Sequence, residues 1–183
     1  EGRRELRVCC SLMAQELGPV AIIIDGLKNT DIQIRLNAIR NLSTIASALG
    51  ADRVQHELLP FLMDALDDEE EVLVVLAEEL GKFVEFVGGG DFAHLLLEPL
   101  ESLARFDDPT VTEKTVVALT TVMAAVPDDK FEQHCVEMVK KLAQGDYSPR
   151  TAACALMPVV YPRATPESQE ELLKHFCEMF DDI

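Results

Sequence analysis

Residues 31–49 read DIQIRLNAIRNLSTIASAL, and this stretch decides the fold. Ile32, Leu36, Ile39, Leu42, Ile45, Ala46 and Leu49 recur in steps of three and four, which places them on one face of an α-helix. Asp31 stands where an N-cap carboxylate accepts from the free amides of the first turn. Gly50 follows the last apolar residue, where a left-handed C-terminal residue is expected. The spacing therefore predicts one helix from Asp31 to Leu49.

The same block returns. Aligned on Leu42, it recurs at Leu80, Leu119 and Leu156, in steps of 38, 39 and 37 residues. Ten or eleven residues ahead of each Leu sits an acidic turn residue: Asp31, Glu69, Asp108 and Asp146. Leu27, Leu66, Leu103 and Leu142 close a first helix before each turn. Each unit thus reads first helix, short acidic turn, second helix. A period of roughly 40 residues with two helices per unit marks HEAT or armadillo arrays, whose units bury their apolar faces on neighbours. Two helices per unit, with Pro60 and Pro99 inside first helices, favour HEAT, because an interior Pro bends a helix. The expected fold is an all-α, HEAT-repeat α-solenoid of about four helix pairs and a partial fifth. Its units fall at about 17–50, 51–90, 91–126, 127–163 and 164–183, after an extra N-terminal segment, 1–16, read as a helical cap or disordered.

The 183 residues carry a formal charge of −17, which disfavours nucleic acid and anionic membrane surfaces, since phosphate binding draws on Lys and Arg. Apolar residues make up 48%, enough for a core, while aromatics are 5% and Trp is absent. Five cysteines, Cys9, Cys10, Cys135, Cys154 and Cys177, form no CxxC pair and suit reduced thiols in a cytoplasmic or nuclear protein. CCSLMA behind three arginines is too short for a signal peptide and is broken by Gln15 and Glu16. No stretch reaches the roughly 20 apolar residues of a membrane span.

The last helix, TPESQEELLKHFCEMF, takes Thr165 as N-cap and Pro166 as first residue. Leu172, Phe176 and Phe180 on it would have no second helix to pack on. In the fourth unit, Pro158 is expected to interrupt the second helix and Pro162 to stop it. His56, His94, His134 and His175 each fall in a first helix. Units stacked about 10 Å apart would keep them from sharing a metal whose bonds are near 2 Å. No nucleophile motif or phosphate loop is present, so no enzyme, cofactor or metal site is expected.

The strings DGLKNTDIQIRLNAIRNLSTIASALG, ELLPFLMDALDDEEEVLVVLAEELGKF, LEPLESLA and GDY…RTAACAL…VYPR resemble the scaffold (A) subunit of protein phosphatase 2A, in register from Leu17 to Ile183. The likeness is to the amino-terminal part of that family, without its later repeats. It implies a non-catalytic scaffold whose intra-repeat turns hold regulatory B-type subunits, the catalytic subunit being held by repeats absent here. The contact residues it implies are Asn29, Thr30 and Asp31; Asp67, Asp68, Glu69, Glu70 and Glu71; Asp107 and Asp108; and Asp146, Tyr147 and Arg150. Tyr147 stands where the family usually has Trp. The alternative is a transport-receptor-type HEAT protein that carries basic cargo on an acidic face.

Each of these features has a plainer reading. The acidic run Asp67 to Glu71 is either a docking surface or a solvated turn favouring the dipole of the next helix. The Asp31/Arg35 and Asp146/Arg150 pairs are either partner contacts or rungs of an inter-repeat hydrogen-bond ladder. Leu73 and Thr112 stand at the Arg position in the middle units, where such a ladder would break.

Overall fold

The computed structural model describes residues 24–181, and every regular element among them is helical. Residues 24–27 are helical and lead through a turn into α1 (Ile32–Arg40) and α2 (Leu42–Leu49). The second pair opens with α3 (Ala51–Arg53), passes through a π-helical stretch (Val54–Leu58) into α4 (Leu59–Asp64), and turns into α5 (Glu70–Leu80). The third has a 3₁₀ segment (Gly90–Leu96) continuing as α6 (Leu97–Ala104), then α7 (Pro109–Ala125). In the fourth, α8 (Asp128–Phe131), a second π stretch (Glu132–Val136) and α9 (Glu137–Ala143) precede α10 (Tyr147–Val160). A 3₁₀ turn (Tyr161–Arg163) then leads to α11 (Pro166–Asp181).

The helices form two layers. One holds α1, α5, α7 and α10, each packed on the next, and the other runs from α4 through α6 and α9 to α11. Between the layers lies one continuous apolar cluster reaching from Leu27 to Met179. Leu42, Leu80, Leu119 and Leu156, the residues that set the period, are all 0% exposed. Asp31, Glu69, Asp108 and Asp146 are the N-cap residues of α1, α5, α7 and α10. This is the stacked helix-pair architecture that the period implies.

Several local expectations are corrected. The single helix from Asp31 to Leu49 is broken at Asn41. Its backbone N–H is shared between the Asn37 and Ala38 carbonyls, and its side-chain amide donates to Asn37 at 2.8 Å. That local competition for a carbonyl ends α1. Gly50 has the expected positive φ of 81°, but its ψ of 161° is extended rather than left-handed helical. The second helix of pair two stops at Leu80, and residues 81–88 continue as turns with bonds such as Phe83 N–H to Leu80 carbonyl. Pro158 does not interrupt α10, which runs on to Val160, since Pro158 is exposed and water can serve the carbonyl it leaves free. The first helices do depart from α geometry just ahead of Pro60 and Pro99. The π stretch in pair four contains no Pro, so proline is not its general cause.

Leu172, expected to have no second helix of its own unit to pack on, is buried all the same, because α11 lies on α9 and α10 of the preceding pair. Phe176 is exposed, while the Phe180 side chain, residues 1–23 with Cys9 and Cys10, and 182–183 lie outside the described residues. The histidine spacing argument also fails at one joint. The rings of His94 and His134 stack with centroids 4.5 Å apart, because side chains reach across a gap that helix axes do not. Rings stacked face over face do not converge their lone pairs on one ion, and no group of three or more His, Cys, Asp or Glu among the described residues is placed to hold a metal.

Candidate docking surface

Helix N-termini set the site. Because α1, α5, α7 and α10 lie side by side, their capping turns follow one another along one edge of the layer. Each turn presents unpaired amides and the positive end of a helix dipole, which is why an acidic residue is favoured there four times over.

The first two turns are tied together. Arg35, buried on α1, donates from Nε to both carboxylate oxygens of Asp68 at 3.0 Å, and from Nη2 to Glu69 at 2.8 Å. Its Nη1 donates to the carbonyls of Asn29 at 2.9 Å and Thr30 at 3.2 Å. The rung therefore runs from Arg35 to the following turn and not to Asp31. Asp31 caps its own helix by accepting from Gln33 N–H, and Asn29 accepts from Asp31 N–H. Asp68 also accepts from the Glu69 N–H, while Glu69 makes no side-chain cap to the first turn of α5.

The third and fourth turns are joined differently. Thr112, where Arg is missing, donates to the Asp108 carbonyl within its own turn. Ser148 instead reaches back from α10 and donates to Asp107 at 3.0 Å. Asp108 caps α7 by accepting from Thr110 and Val111 N–H groups. Asp146 is exposed and makes no side-chain cap. Arg150 donates to the Met179 carbonyl on α11, which turns it toward the stack. Asp67, Glu70 and Glu71 are exposed and make no ion pair among the described residues. Of the thirteen residues singled out from the sequence, the structure thus commits Asn29, Asp31, Asp68, Glu69, Asp107, Asp108 and Arg150 to internal bonds of their side chains. It leaves Asp67, Glu70, Glu71, Asp146 and Tyr147 facing water.

One feature escaped the sequence reading. Between the N-terminal halves of α7 and α10 runs a groove of about 330 Å³. Its walls are largely apolar, with Pro109, Val116, Val117 and Ala155 above the buried Thr112 and Ser148, and its rim carries Asp107, Glu113 and Tyr147. Val117 is 61% exposed and Tyr147 81%. The signal lay in TEKTVVALTTV, where Val116 and Val117 give α7 a second apolar face beside the one that Leu119 buries.

Little here suggests covalent chemistry. Cys135 is buried, which pushes its thiol up to about 12, and it is thus held as the poorly nucleophilic thiol. Cys154 and Cys177 are free thiols as well. No helix among the described residues is long and apolar enough to cross a membrane.

The chain is 49% identical over 167 residues to the beta isoform of the rat serine/threonine-protein phosphatase 2A 65 kDa regulatory (A) subunit, a match that spans 91% of the chain and 28% of that relative. It is 46% identical over 167 residues to the Drosophila melanogaster serine/threonine-protein phosphatase PP2A 65 kDa regulatory subunit, with the same coverage. The Dictyostelium discoideum protein phosphatase 2A scaffold subunit is 47% identical over 166 residues, 90% of the chain and 28% of the relative. The chain is a partial homologue of the protein phosphatase 2A scaffold (A) subunit. No protein-family model matches it. This scaffold-subunit homologue spans little more than a quarter of the length of the relatives it matches. The kinship assigns its helix pairs to HEAT repeats, and the relatives named here are regulatory or scaffold subunits, none a catalytic one.

Proposed function

We propose that this scaffold-subunit homologue is a non-catalytic element that holds regulatory B-type subunits of protein phosphatase 2A along its edge of capping turns, in the cytoplasm or nucleus. The segment alone does not hold the catalytic subunit. One observation carries the reading: the four turns follow one another on a single edge, and the carboxylates not used internally, Asp67, Glu70, Glu71 and Asp146, stand exposed along it, with the exposed Tyr147 following Asp146. Exposed charges of one sign in a row steer an oppositely charged partner and fix its register. Internal rungs tie the first turn to the second and the third to the fourth, and packing of α5 on α7 sets the two couples side by side, so many shallow contacts can be made at once.

The test is a pull-down of purified regulatory and catalytic subunits by the full chain. Regulatory subunits are expected to bind, more weakly as salt rises, and the triple substitution Asp67→Ser, Glu70→Ser, Glu71→Ser should weaken them about tenfold. Retention of the catalytic subunit with no regulatory subunit present would contradict the assignment.

A further inference from the structure

We infer that the groove between α7 and α10 is a socket for one apolar side chain carried on a Lys- or Arg-bearing segment of a partner protein. This rests on the reading of the turn edge as a docking face, and it names the chemistry that the face selects.

The groove is apolar where it need not be. Thr112, Val116 and Val117 line one wall on α7 at helical spacing, and Ser148, Thr151 and Ala155 line the other on α10. The α10 wall is made of small side chains, so the two helices leave a gap between them instead of closing it. Val117 and Tyr147 stand exposed on either side of this gap, so an inserted apolar side chain would meet apolar surface on both helices. A small-molecule site would need convergent polar groups in addition. Here the Ser148 hydroxyl is already spent on Asp107, and Thr151 donates to the Tyr147 carbonyl of its own helix.

Charge selects the occupant. Asp107 and Glu113 stand on the rim, Asp146 is next to Tyr147, and neither Lys nor Arg lines the groove. A carboxylate beside apolar walls attracts a cation more strongly than one in open water. A second copy of this chain, with its formal charge of −17, would meet that rim with like charge. A segment that puts a Leu, Met or Phe beside a Lys or Arg satisfies both walls and rim. At about 330 Å³ the groove lies at the small end of binding pockets, roughly 300–1,000 Å³, which suits one anchor and not an extended ligand.

The experiment is a methyl-resonance titration of the full chain with a nine-residue peptide carrying one central Leu between Lys and Arg residues. The Val116, Val117 and Ala155 methyl signals should shift. A peptide with Ala for Leu should bind at least fivefold more weakly, as should one with Glu for the flanking cations. Ala155→Leu, which fills the groove, and Val117→Ser, which removes apolar surface from its α7 wall, should each weaken the Leu peptide at least fivefold with the thermal midpoint unchanged, since both positions are exposed. Methyl signals that stay still, or that respond equally to the Ala peptide, overturn the inference. The pull-down reports separately on the edge. Peptide binding without regulatory-subunit binding defeats the scaffold reading alone, whereas regulatory-subunit binding that both groove variants leave intact defeats the socket alone.

Discussion

Arg35 and Asp68 meet across the joint between the first two helix pairs, with the guanidinium Nε 3.0 Å from each carboxylate oxygen. The other guanidinium nitrogens hold Glu69 and two carbonyls of the preceding turn, so one side chain closes five contacts on two turns. Lysine has three donors on a point charge and cannot reproduce that fork. Arg35→Ala is expected to lower the thermal midpoint by several degrees, and Arg35→Lys to recover only a small part of the loss. A double-mutant cycle with Asp68→Asn should show coupling, because removing either partner strands the other. Additive effects would show the rung to be ornamental.

Core leucines of the period should be far more sensitive than groove residues. Leu80 is wholly buried between neighbouring helices, so Leu80→Ala should cost about 2–5 kcal/mol. Val117→Ala on the exposed face should stay within about 0.5 kcal/mol. Urea denaturation of both variants, followed by helical circular dichroism, compares the two directly.

Burial, the neighbouring His134 and Lys130 together hold His94 below the ordinary histidine pKa, against an opposing pull from the Asp91 carbonyl. Its Nδ1 is buried without a hydrogen-bond partner. The sign follows from proton counting. Between the depressed folded value and the unfolded value of about 6.5, the unfolded chain binds more protons, so stability falls as pH drops. Stability should be full above that window, decline through it, and level off below the folded pKa with respect to this group. His94→Gln should flatten the slope, as read from thermal midpoints measured between pH 7.5 and 5 in steps of about half a unit. An unchanged slope would remove His94 as the cause.

Gly90 permits a close approach of backbones. A Cβ added there would lie 2.5 Å from the Ala125 carbonyl oxygen, and a main-chain atom cannot swing aside as a side chain can. Gly90→Ala should therefore destabilise by about 1–3 kcal/mol. Calorimetry that found the variant as stable as the parent would mean that the start of the third pair can shift at no cost.

The parts of this fold that repeat were readable, and the parts that depend on side-chain reach were not. Leu42, Leu80, Leu119 and Leu156 announce the stack because burial on one helix face must recur with the unit, and the four acidic caps recur for the same reason. The break at Asn41 was missed because it turns on one amide competing for one carbonyl, which hydrophobic spacing does not register. The π stretches at Val54–Leu58 and Glu132–Val136 leave no mark on an apolar pattern averaged over 3.6 residues. The ladder was anticipated at Arg35, but its replacement by Ser148 and Asp107 was not, since a short hydroxyl donor has no charge pattern to betray it. The stacked His94 and His134 show the limit of reasoning from helix-axis distances. The groove was hidden because apolar residues on a second face of α7 look like core until a structure shows them in water.

Arg163 lies 3.7 Å above the Phe131 ring and donates to the Met123 and Val126 carbonyls and to Asp128, so the third and fourth pairs are fastened by directional bonds on both sides of their shared core. Between α5 and α7, by contrast, the polar tie among the described residues is the half-exposed Lys114–Glu78 pair, and the rest is apolar contact such as Gly81 against Ala118. The four capping turns are therefore tied in two polar couples, the first to the second and the third to the fourth, and a partner that grips turns of both couples would bridge the one joint whose register rests mainly on apolar shape.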